Sequence, residues 1–186
     1  MAAFDYLSVL ISIVLGLGIT QLLSGFGRCL ERRNEVKLYA PAIAWALFLL
    51  LVHIQTWWTM FGLRHWPDWT FLQFAAVLLQ PIVLFLLTTV ALPGTASAEL
   101  DLKINFFANR VWFFTLLLVL ITASLAKDLA RLGTLPGGAN LVFHAALVAV
   151  FALGLITKGD RLHHALAFAG LLLLVSYVVL LFANLA

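Results

Sequence analysis

Residues 6–27 read YLSVLISIVLGLGITQLLSGFG, 22 positions without a charge. At 1.5 Å per residue such a run makes a helix about 33 Å long, enough to cross the hydrocarbon of a bilayer. Five more charge-free runs follow, at 38–63, 69–98, 111–126, 132–157 and 162–186. Together the six take up most of the 186 residues, of which 64% are hydrophobic and 10% charged. A soluble domain carries roughly 25% charge, whereas the mean hydropathy of this chain is +1.09. The reading is an all-α, polytopic integral membrane protein: one transmembrane domain over 1–186, a six-transmembrane-helix bundle in the cell membrane with the lipid bilayer as its first partner. No stretch remains for a soluble catalytic domain, so the chain is expected not to be an enzyme.

The spans are expected at 4–26, 39–62, 69–92, 106–126, 139–157 and 162–184. The fourth is the weakest, because its charge-free run covers only 16 residues. It reaches spanning length if Arg110 and Lys127 extend their charges to opposite interfaces. The first run is too long for a signal-peptide core and follows Asp5 instead of a basic segment, so it is expected to be retained. Cys29 is the single cysteine and has no internal disulfide partner.

Orientation follows from the basic residues, which resist translocation. Arg28, Arg32, Arg33, Lys37, Lys103, Arg110, Lys158 and Arg161 fall on one side, and Arg64, Lys127 and Arg131 on the other. The larger group marks the cytoplasmic face, which makes both termini extracytoplasmic. Trp57, Trp58, Trp66 and Trp69 flank the turn at 64–68, as indoles do at an outer headgroup layer, while Trp45 and Trp112 mark the inner one. The net charge of +3 belongs to this orientation signal, and nucleic acid is not expected as a partner. A polar loop at 93–102 separates two halves, 1–98 and 99–186, with three spans each; an inverted repeat is the weak corollary.

Ser8, Ser12, Gly16, Thr20 and Ser24 recur at every fourth position. Such a ridge lets two helix backbones approach closely, so the first helix is expected to be central or to bury against a partner.

Polar side chains inside apolar spans carry most of the functional information, since each costs free energy unless it is paired or meets water. His53, Gln73, Gln80, His144, Lys127 and Asp128 are the candidate lining of one outward-facing pocket. Gln73 and Gln80 are seven apart and share a helix face, and Pro81 frees the Val77 carbonyl. The competing reading is that each makes one interhelical hydrogen bond and nothing more.

Three functions fit. The first is movement or sensing of a small solute or ion through that pocket. The second is a b-type cytochrome, with haem b held between His53 and His144. The third is an accessory or scaffold subunit, a homo-oligomer or a partner of another membrane protein, using the small-residue ridge. Adjacent His163 and His164 point about 100° apart on a helix and do not grip one ion, so no metal site is expected. Walker, GxGxxG, CxxC, HExxH and potassium-filter patterns are absent from the sequence, which removes the reactions those motifs support.

Overall fold

A computed structural model describes residues 3–65, 69–92 and 101–181. The helices are α1 (Ala3–Glu31), α2 (Ala40–Met60), α3 (Phe71–Ala91), α4 (Leu102–Leu132), α5 (Gly138–Ile156) and α6 (Asp160–Leu181), with a short 3-10 turn at Phe61–His65. All six are long and apolar enough to cross a membrane. No strand occurs among the described residues; Lys37 and Asp101 form an isolated bridge. Trp66 and the dividing loop at 93–100 lie outside the described residues.

The fourth helix, whose charge-free run is the shortest of the six, is the longest at 31 residues. Its start explains the difference. The Asp101 carboxylate accepts from the N–H groups of Lys103 at 3.0 Å and Ile104 at 3.1 Å, which satisfies two donors that a helix N-terminus otherwise leaves open. The helix therefore begins four residues ahead of the expected span. It ends at Gly133, which adopts φ 70° and donates its N–H to Leu129 O, a left-handed cap that favours glycine.

Tyr39, Lys103 and Asp160, at the starts of α2, α4 and α6, meet at one end of the bundle. Thr56, Gln80 and Lys127 join α2, α3 and α4 toward the other. The helices therefore alternate in direction. Around the bundle the packing order is α1, α3, α4, α5, α6, α2, with α2 also leaning inward onto α3 and α4.

The central helix is α2, not α1. Over its most apolar stretch α2 is 56% buried and α1 is 22%. Helix α1 packs through Ile11, Leu15, Gly18, Leu22, Gly25 and Cys29, all buried, in the alternating spacing of a coiled-coil seam. The ridge expected to pack lies off that seam: Gly16, Thr20 and Ser24 are exposed. Close approach is made by other glycines. A Cβ at Gly18 would run into the His53 ring, one at Gly154 into the Phe114 ring, and one at Gly170 would stand 2.8 Å from the Trp45 indole.

Trp45 marks no interface: it is 1% exposed. It stands edge-on to Phe48, Phe113, Phe114 and Phe151, with centroids 5.2–5.9 Å apart, the geometry that aromatic quadrupoles prefer. Arg110 does not extend to an interface either. It is buried, one turn from both Phe106 and Phe114 on α4, and those two rings pack against His163.

The end at which α2, α4 and α6 begin is tied by polar contacts. Asp160 accepts from the Tyr39 hydroxyl at 2.7 Å and from Lys103 Nζ at 2.9 Å, and Lys37 pairs with Asp101 at 3.6 Å. Burial, aided by the Asp160 carboxylate, pushes the Tyr39 phenol well above its ordinary value, so it stays a donor. The Leu102 N–H donates to Lys37 O at 3.0 Å. The segments before α2, α4 and α6 are thereby fastened together.

Candidate functional site

At the opposite end the helices part around a cavity of about 370 Å³. On α5 its wall runs from Asn140 to Phe151, about 16 Å at 1.5 Å per residue. Its deep part is apolar, with Phe48, Val52, Leu147 and Phe151. Toward the mouth it is polar, and Lys127, Asp128 and Asn140 there are half-buried.

Four of the six expected residues line this cavity: Gln80, Lys127, Asp128 and His144. Gln80, buried on α3, donates from Nε2 to Thr56 Oγ1 at 3.3 Å and accepts from Lys127 Nζ at 3.0 Å. The lysine side chain therefore turns into the bundle and does not extend to the near interface as expected. The Gln80 amide supplies a carbonyl for it, and Thr56 fixes which way that amide faces. Pro81 continues α3 without an N–H to offer Val77 O, and both residues are part of the wall.

His144 places Nδ1 2.9 Å from Asn140 O, one turn earlier on α5. A carbonyl only accepts, so Nδ1 carries the hydrogen and the neutral ring holds its lone pair at Nε2. The Tyr177 hydroxyl donates to Asn140 Oδ1 at 3.2 Å, and the Tyr177 and His144 rings meet edge to face at 5.7 Å. Asn140 thus orients two cavity side chains from two helices.

His53 and Gln73 are not brought to this cavity. The His53 ring is 0% exposed, donates from Nδ1 to Leu49 O at 2.7 Å, and turns Nε2 toward the α1 backbone at Gly18. Nε2 is the nitrogen an axial haem ligand would use. The two imidazoles considered as a haem pair therefore face different regions: one packs against α1 and the other lines the cavity. Gln73 is drawn back onto the helix start. Its Oε1 accepts from the Thr70 N–H at 2.9 Å while its own N–H donates to Thr70 Oγ1 at 3.3 Å, a capping box.

Thr56, Asn140 and Tyr177 also line the cavity, and sequence reasoning missed them. The spacing of Asn140 and His144, four apart on one face, was a usable signal. Nothing along the chain marks Thr56 as the partner of Gln80, since that contact joins two helices. Among the described residues no group of three His, Cys, Asp or Glu side chains is placed to hold a metal ion. The chain matches no protein-family model, no curated protein and no solved structure.

Proposed function

We propose that the chain is an integral protein of the cell membrane that takes a small solute into this cavity from the extracytoplasmic side and moves it across. The orientation rests on the basic residues. Arg28, Arg32, Arg33, Lys37, Lys103, Lys158 and Arg161 belong to the end where α2, α4 and α6 begin, which makes that end cytoplasmic and both termini extracytoplasmic.

The observation that carries the reading is Lys127 turned inward onto buried Gln80. Lys127 stands near the C-terminal end of α4, and ionisable residues that turn inward from a spanning helix face the bundle interior or water-filled cavities along solute paths. A lysine with only an anchoring role reaches the nearest headgroups; this one reaches the opposite way.

Proteoliposome uptake of radiolabelled leucine, choline and acetate tests the proposal. At least one probe should enter faster than into protein-free vesicles. Gln80→Leu and His144→Ala should each lower that rate at least tenfold, while Gln73→Ala, which only loosens a helix cap, should leave it unchanged. Equal uptake by all variants, or uptake no faster than into empty vesicles, overturns the proposal.

A further inference from the structure

Arg110 on α4 is 7% exposed. Among the described residues it makes no ion pair, and its buried Nη1 has no hydrogen-bond partner. No carboxylate is built to meet it. Helices α2 and α5 carry no acidic residue, and α4 carries only Asp128, 18 positions farther on, or about 27 Å. Asp101 is spent on the cap of α4, and Asp160, the single acidic residue of α6, on Tyr39 and Lys103. A guanidinium is a fixed charge, and a buried charge without a partner is costly.

Helix geometry and ring contacts define its surroundings. Side chains lean toward the N-terminus of their helix and over the residue four before, so Arg110 leans over Phe106, with Phe114 one turn behind it. Those two rings come within 6.3 Å of each other, and the His163 ring packs on both, at 5.1 and 5.8 Å. Arg110 thus gives onto the niche between α4 and α6 that these rings frame, and it is one of the charges acting on His163.

His163 adds a complementary atom. Its Nε2 is 3.1 Å from Thr157 O; a carbonyl only accepts, so Nε2 carries the hydrogen and the neutral ring holds its lone pair at Nδ1. That nitrogen is buried and has no hydrogen-bond partner among the described residues. The niche therefore offers a charged donor fork and one acceptor. Chloride or nitrate would answer the guanidinium but set a lone pair against Nδ1. An oxyanion that carries a hydrogen answers both: two oxygens accept from the fork, the O–H donates to Nδ1, and one negative charge cancels that of Arg110. A lipid phosphate stays at the headgroup layer, whereas Arg110 stands seven positions deeper in α4 than the exposed Lys103, about 10 Å.

We infer that α4 and α6 bind one small monovalent hydrogen oxyanion, bicarbonate, between the Arg110 guanidinium and His163 Nδ1, at a site separate from the cavity.

The experiment follows thermal unfolding of the full chain in nanodiscs by calorimetry, in a sealed cell at one mildly alkaline pH. Sodium bicarbonate, nitrate or chloride replaces gluconate at constant ionic strength. A ligand that binds only the folded chain raises its Tm. Bicarbonate should do so saturably, with an apparent Kd at least tenfold below those of chloride and of nitrate, which is also planar but has no O–H. Arg110→Gln should abolish the shift, Arg110→Lys should weaken it at least tenfold by losing the fork, and His163→Phe should bring bicarbonate to the level of nitrate. The absence of a saturable shift with bicarbonate overturns the inference, as does nitrate binding the unaltered chain within twofold of it. A full bicarbonate shift in Arg110→Gln overturns it too. The comparison of bicarbonate with nitrate needs only the unaltered chain, so it decides even where a variant fails to fold.

Discussion

The two ends of the bundle use the same residue types for opposite purposes. At the end where α2, α4 and α6 begin, His163 is 0% exposed and lies against Phe106, Phe107 and Phe114, Asp101 caps a helix and Asp160 ties the helix starts together. At the other end His144 lines open space and Asp128 has no ion pair among the described residues. His53, His144 and His164 each bond the carbonyl four residues back, so the local environment on the helix does not separate them. The surrounding helices do. A histidine in an apolar span becomes packing or chemistry according to what the neighbouring helix presents, a glycine in one case and a cavity in the other.

This contrast can be broken at several points. The largest effect should come from Trp45→Ala, which empties the aromatic layer between the two ends. Truncating a buried tryptophan costs about 3–5 kcal/mol in soluble cores, and in a bilayer the lost packing carries that cost because transfer from water does not. Unfolding by SDS titration should show it; a loss below about 1 kcal/mol means the layer is not a keystone. Next is Gly170→Val, which sets a branched side chain against the Trp45 indole and should cost about 1–3 kcal/mol by overpacking, while Gly16→Val on the exposed side of α1 should leave the midpoint in place.

At the cavity the expectation reverses. Gln80→Leu removes a partner from both Thr56 and Lys127, yet water can reach them, so the loss should stay near 1 kcal/mol, at the low end for a broken buried hydrogen bond. A loss as large as that of Trp45→Ala would show that the cavity residues are structural. The smallest effect is at Asp101. The Ile104 N–H, with Lys103, holds its carboxyl below the ordinary value of 3.8. Its contribution is thus complete above that value and fades as pH falls through the lower folded one. Asp101→Ala should lower the Tm at neutral pH and flatten the acid side of the Tm profile; an unchanged profile removes the cap from the account.

The number and order of helices were legible because charge-free runs of spanning length follow only from composition. Facing was not. In α1 the apolar residues go all the way round, so the periodicity that reveals a buried face in a soluble helix is missing. Both the 8, 12, 16, 20, 24 ridge and the 11, 15, 18, 22, 25, 29 seam were written there, and within this chain it is the seam that is buried. The start of α4 was misjudged because a hydrophobicity pattern does not register a capping aspartate. Gln80, Lys127, Asp128 and His144, which line one cavity, were legible as candidates since polar groups stand out against lipid-like sequence. His53 stood out equally, and nothing along the chain says that Gly18 would receive it.

The packing order has a consequence for biogenesis. Trp45 emerges early in synthesis, but the glycine that seats it lies 125 positions later, at Gly170 on the last helix. Until that helix enters, a large indole in the second span has no protein cover on that side. The ring closes only when the sixth helix packs beside the second, so a chain ended before position 170 leaves the indole of Trp45 uncovered on that side.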